Sequence, residues 1–216
     1  LLTIYTYAQS DSGLLNRSLS DIINYDIKTP NNNKSIEGSP YLSDQFILSR
    51  ISNVKNTTET RYNAYTDEIE FKSTNNIYII PKDTVYSTIT QQNGFVFTLI
   101  NSEYFINVYT NKNISFFLKQ KISVSPNDST VKNGYSTNLS NPSYEKDKER
   151  YFIFYKDKLY EISKNVKALV NGINSSKITE FIKNNKIIVN DACSVRKLVD
   201  FLASIQWSHE CYITPS

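Results

Sequence analysis

The chain has 216 residues, 39% of them hydrophobic and 21% charged, with 24 basic against 21 acidic side chains and a net charge of +3. Five glycines and six prolines exclude a collagen-like or linker protein, and the supply of Ile, Leu, Val and Phe argues against wholesale disorder. At this length one packed core buries roughly 70% of the surface of the unfolded chain, so stability requires neither a metal nor a disulfide.

The first eight residues are uncharged and end on Ala8, two positions after Thr6. That is the pattern of the end of a secretory signal peptide cleaved after Ala8. Residues 1–8 are therefore read as a signal remnant and 9–40 as an N-terminal helix and loop, the helix over 14–23. No apolar run approaches the roughly 20 residues that span a bilayer.

From 41 to 162 the apolar residues recur at period two or in short β-branched and aromatic runs, which predicts a β-rich domain. The expected strands are 45–53, 59–64, 68–72, 77–80, 85–90, 95–101, 105–110, 114–124, 151–155 and 158–162, spaced as in an antiparallel meander, barrel-like or sandwich-like. Asn93-Gly94, Asn111-Lys112-Asn113 and Lys156-Asp157 stand where tight turns need φ above zero. Residues 125–149 are polar and carry Pro126, Gly134 and Pro142, the composition of a long surface loop.

Beyond Ile162 the period becomes helical. Val166, Leu169, Val170 and Ile173, then Ile178, Phe181 and Ile182, then Val195, Leu198, Val199, Leu202 and Ile205 define three short amphipathic helices. Ser163, Ser175 or Ser176, and Asp191 are the expected N-caps, and Gly172 and Asn184-Asn185 the expected stops. The whole is an α+β chain whose β domain, 41–162, is followed by a C-terminal helical subdomain over 163–206. Residues 207–216, which hold Trp207, His209 and Cys211, read as an atypical tail.

Catalytic inventories are thin. One His and two Cys fall short of a four-ligand zinc site, no cofactor is implied, and no nucleophile elbow or phosphate-binding Gly loop is present. Cys193 and Cys211 are a candidate disulfide in an oxidising compartment. The basic residues are interleaved with acidic ones, which argues against nucleic acid. Lys183 to Lys186 read as a solvated helix face. Sequons such as Asn56-Thr57-Thr58 and Asn113-Ile114-Ser115 are expected by chance in a chain this rich in Asn and Ser.

The sharpest acidic cluster is Asp67-Glu68-Glu70. On a strand, Glu68 and Glu70 share one face about 7 Å apart, a separation suited to general acid and base roles in glycoside hydrolysis or to Ca²⁺. The plainer expectation is a solvated strand face with Arg61 or Lys72 as partner. Tyr62 and Tyr65 precede the cluster, and 16 tyrosines in all suit both sheets and binding surfaces. Pro40 restricts Ser39 to an extended conformation, so that Tyr41 and Leu42 anchor the first strand.

Gly38-Ser39-Pro40-Tyr41-Leu42 followed by Phe46, then Arg61-Tyr62-Asn63-Ala64-Tyr65 and Asp67-Glu68-Ile69-Glu70-Phe71, resemble a set of uncharacterised exported proteins of Bacteroidetes over about residues 37–204. The resemblance implies an envelope protein with a signal peptide, a β-rich body and a helical C-terminal piece. It brings no activity, cofactor or catalytic residue. Gly38, Pro40, Tyr41, Arg61 and Asn63 are expected to be structural, and Tyr62, Tyr65, Asp67, Glu68 and Glu70 are the candidate binding residues.

The resulting expectation is an exported, non-enzymatic protein of the periplasm or cell surface that binds an envelope protein or a glycan through a Tyr-rich β surface. The alternatives are a carboxylate-dependent hydrolase using Glu68, Glu70 or Asp67, and a structural homo-oligomer.

Overall fold

A computed structural model describes residue 18 and residues 36–74, 76–125, 141–163 and 165–210, with side chains as far as 205. The expected signal remnant at 1–8 and the helix at 14–23 lie outside the described residues, as do 126–140 and 211–216.

Among the described residues, ten strands form one antiparallel sheet and two pair separately. The first four are β1 (Ile47–Ile51), β2 (Thr58–Asn63), β3 (Glu68–Ser73) and β4 (Asn76–Ile79). The sheet continues with β5 (Thr88–Gln91), β6 (Val96–Ile100), β7 (Glu103–Asn111) and β8 (Ile114–Lys119). The remaining strands are β9 (Ile122–Ser125), β10 (Ser143–Lys146), β11 (Arg150–Tyr155) and β12 (Lys158–Glu161). Their order across the sheet is β12-β11-β8-β7-β6-β5-β1-β2-β3-β4.

The meander is thus interrupted twice, between β4 and β5 and between β8 and β11. After β4 the chain returns through a 3-10 turn, Thr84–Tyr86, begun by an Asp83 carboxylate that accepts the Val85 N–H, and β5 pairs with the free side of β1. Residues 85 and 86, expected in a strand, belong to this turn. The expected strand 114–124 also divides: Gln120 and Lys121 separate β8 from β9, and β9 pairs with β10. The 125–149 stretch is therefore not loop throughout. Its Ser143–Lys146 segment alternates too weakly to read as a strand until β9 supplies its partner.

Tight turns follow their residue chemistry. Gly94 at φ 92, Asn101 and Ser102 at φ 50 and 62, and Lys156 and Asp157 at φ 48 and 58 all occupy the left-handed region that matches hairpin turns to the twist of their strands.

One face of the sheet coils around a core of Ile51, Tyr62, Ile69, Phe71, Ile89, Phe97, Tyr104 and Ile106. Cross-strand pairs Tyr62 with Ile69, Ile89 with Phe97 and Phe97 with Ile106 place these side chains in one layer. On the opposite face Phe105, Phe117 and Phe152 form a smaller cluster, with Phe105 edge-on to Phe152 at 5.1 Å.

Helices α1 (Lys167–Ile173), α2 (Ser176–Asn184) and α3 (Ala192–Glu210) cover the β7-β8-β11-β12 end. Leu169, Ile178, Val195, Leu198, Val199 and Leu202 are fully buried against Ile114, Phe116, Ile153 and Ile162, each contributing about 1.5–3 kcal/mol by leaving water. Phe181 stacks on Phe201 at 4.0 Å, and Asp200 accepts hydrogen bonds from Tyr109 (2.7 Å) and Asn111 (2.6 Å). Helix α3 continues to Glu210, so residues 207–210, expected in the tail, extend the helix. Among the described residues no helix is long and apolar enough to cross a membrane.

The helix ends differ in part from expectation. Asp191 caps α3 by accepting the Ser194 N–H at 2.9 Å, but α1 receives its cap bond from Asn165, while Ser163 bonds the Tyr151 N–H on the sheet. Gly172 does not stop α1, which ends at Asn174 in the left-handed conformation. The glycine instead admits Tyr160, whose ring carbon Cε1 would lie 2.2 Å from an added Cβ. Gly172→Ala is expected to lower stability by about 1–2 kcal/mol, because overpacking outweighs the gain in helix propensity. Thermal denaturation checks this, and an unchanged midpoint would show that the ring has room to move.

Candidate functional site

The sequence-predicted residues gather at the β2-β3 hairpin and the segment that leads into β1. Gly38, at φ 84, turns the chain so that the Pro40 carbonyl accepts the N–H groups of Ala64 (2.9 Å) and Tyr65 (3.2 Å). Tyr41 then bridges to Asn63. Asn63 is buried, and its side-chain oxygen accepts the N–H groups of Tyr65 and Thr66, both at 3.1 Å. This Asx-type turn presents Tyr65 outward and sets Asp67 at φ 59. Gly38, Pro40, Tyr41 and Asn63 thus act in the turn and bridge that shape the hairpin.

Arg61 and Glu70 are direct cross-strand partners. The guanidinium reaches Glu70 at 2.8 Å and donates to the Tyr41 hydroxyl at 2.7 Å; that hydroxyl donates to Glu70 at 3.2 Å. The Tyr41 and Phe46 rings flank the guanidinium at 3.6 and 4.4 Å. Glu70 is fully buried, which corrects the expectation of a solvated strand face: Tyr41, Arg61 and Phe46 cover it. Burial, then the nearby Glu70 charge, pushes the Tyr41 hydroxyl up to about 12.

Asp67 gathers donors from four places in the chain. Its carboxylate accepts from the Tyr62 hydroxyl (2.7 Å), Lys82 (2.8 Å), Lys119 (2.6 Å) and the Tyr104 N–H (3.3 Å). Lys119 is buried and also donates to the Tyr104 carbonyl at 2.8 Å. Tyr62, a candidate surface residue, is buried in the sheet core; its hydroxyl is raised far above its ordinary value, by burial first and the Asp67 charge second. The same two causes raise Tyr104.

The candidate binding set is therefore divided. Tyr62, Asp67 and Glu70 are occupied in holding the sheet, Glu68 stands half-buried at the start of β3, and Tyr65 is 43% exposed. The Tyr65 ring meets Tyr144 of β10 at 5.3 Å in an edge arrangement. Sequence reasoning missed Tyr144, Lys82 and Lys119, and quoted Phe46 in a motif without giving it a role at the site. Lys119 closes the apolar run of β8, and its partner lies 52 residues away in the chain.

Elsewhere, a surface cleft of about 490 Å³ is lined by Asp147, Lys148, Glu149, Arg150, Glu161 and Ser163. Arg150 grips Glu161 there at 2.6 and 3.0 Å, and the cleft includes none of the predicted site residues. Cys193 is exposed in the first turn of α3, and the expected pairing with Cys211 falls outside the described residues. Among the described residues no group of three or more His, Cys, Asp or Glu is placed to hold a metal. Compared with protein-family models, curated proteins and solved structures, the chain matches none.

Breaking the buried pair leaves a charge without its partner, so Arg61→Ala and Glu70→Ala are each expected to cost about 3–5 kcal/mol in urea denaturation. The apolar replacement Arg61→Met with Glu70→Leu should recover most of that loss. Tyr41, Tyr62 and Tyr104 hold their protons more tightly folded than unfolded. Their contribution is complete below pH 10, the ordinary tyrosine value, and is lost as pH rises above it. Stability measured from pH 9 to 12 should fall at the alkaline end, and the fall should be shallower in Tyr104→Phe, which removes a buried hydroxyl without a hydrogen-bond partner.

Proposed function

We propose that this is an exported, non-enzymatic envelope protein that binds a protein or glycan partner through the aromatic surface built by Tyr65 and Tyr144. The observation that carries the reading is the exposure of Tyr65 on a turn held rigid from both sides, by the Asn63 side chain and by the Pro40 carbonyl. A fixed aromatic side chain offers large contact area at little cost in conformational entropy. Export is supported by the uncharged first residues ending on Ala8 and by the resemblance over 37–204.

The hydrolase alternative, which used Glu68, Glu70 or Asp67, draws no support from Glu70 or Asp67. Glu70 is sealed beneath Tyr41 and bound to Arg61, and Asp67 is neutralised by two lysines. An acid and base pair needs groups open to substrate and tuned near the working pH.

Tyr65→Ala tests the reading. The variant is expected to keep the wild-type melting temperature, since truncating an exposed side chain changes stability by no more than about 0.5 kcal/mol. It should lose the partner that wild-type protein captures by cross-linking in intact cells, or the sugar it retains on a glycan array. Equal capture by both proteins would remove the Tyr65 surface from the account, and self-cross-links alone would point to the homo-oligomer.

A further inference from the structure

The charge of the chain is unevenly placed. Between Lys164 and Glu210 there are seven basic and four acidic residues, whereas the rest of the sequence holds seventeen of each. The whole net charge of +3 thus belongs to the helical subdomain, and an asymmetry of this kind points to an anionic partner.

Its clearest structural expression is the corner between α2 and α3. Helix α2 ends in a Schellman arrangement: the Lys186 N–H donates to the Lys183 carbonyl at 3.3 Å and the Ile187 N–H to the Ile182 carbonyl at 3.2 Å. Lys186 occupies the left-handed position at φ 47, a place glycine usually takes. The Asp191 N–H then returns to the Ile188 carbonyl at 3.1 Å, closing a second turn directly before α3. The corner is therefore tied by backbone bonds on both sides of its tip.

What it displays is specific. Lys183 and Lys186 are exposed, and Ile188 is 56% exposed, more than Leu48, Tyr65 or Phe95. Ile187 and Val189 on either side are half-buried against the helical core. The acidic residue of the corner, Asp191, is occupied as the N-cap of α3.

We infer that this corner is an interfacial anchor for an anionic lipid surface, with Ile188 entering the headgroup boundary and Lys183 and Lys186 remaining among the headgroups. A fluid bilayer accommodates one protruding aliphatic side chain without a shaped socket, and basic side chains beside it gain from the negative surface potential. Polyanion attraction alone would use the lysines and ignore Ile188. The inference is independent of the Tyr65 surface.

The test is sedimentation of the 216-residue chain with phosphatidylglycerol-containing vesicles and with pure phosphatidylcholine vesicles at low salt. Wild-type protein should partition onto the anionic vesicles only. Lys183→Glu with Lys186→Glu should weaken that partition by at least about fivefold per lysine, and Ile188→Ser by about tenfold, both at unchanged melting temperature. Lys55→Glu with Lys121→Glu changes the net charge equally at exposed positions of the β domain and should retain most of the binding. Failure of the wild type to sediment overturns the inference. So does an Ile188→Ser variant that binds as wild type, or an equal loss in the Lys55 and Lys121 variant.

Discussion

A coiled antiparallel sheet must be held where its curvature brings distant strands together, and here one carboxylate does so. Asp67 sits at the β2-β3 turn, yet it receives Lys119 from the end of β8, the Tyr104 N–H from β7 and Lys82 from beyond β4. β3 and β7 are separated by β2, β1, β5 and β6 in the sheet, so these bonds close the coil across its open side. The core of Tyr62, Ile69, Phe97 and Tyr104 lies within that coil. Because Lys119 is buried, its charge depends on Asp67 at 2.6 Å and, more distantly, Glu103 at 3.6 Å, which makes the ionic knot and the apolar packing interdependent.

The Arg61-Glu70 pair has a different consequence. Buried ion pairs contribute little net stability because desolvation offsets attraction, and their better-attested role is to exclude alternatives. A one-residue slip between β2 and β3 would carry every side chain to the other face. It would also remove Glu70 from the Arg61 guanidinium and from Tyr41, leaving charges buried alone. The leading segment, 38–46, is drawn into the same arrangement because Tyr41 and Phe46 complete the cover over the pair.

These commitments bear on function by elimination and by display. Of the carboxylates most suggestive of chemistry in the sequence, Asp67, Glu68 and Glu70, the first and last are spent on architecture. Among the described residues, a rigid Tyr65 stands beside Tyr144 on the β domain, and a basic corner with a protruding Ile188 stands on the helices. Both are convex surfaces suited to the contacts proposed for them.

Much of the fold was legible locally. The period-two runs marked most strands and the 3.6-residue stripes marked the helices, since alternation and helical spacing are set by backbone geometry alone. The Asn93-Gly94 and Lys156-Asp157 turns and the Asp191 cap follow equally from neighbouring residues. Tertiary structure alone decided the return of β5 to β1, the pairing that turns Ser143–Lys146 into a strand, the closeness of Gly172 to Tyr160, and the burial of Glu70. Each depends on which surface a segment meets after folding, across separations that local periodicity does not encode. A carboxylate on a strand reads the same whether water or Tyr41 covers it, and only the packed molecule distinguishes a solvated face from a sealed ion pair.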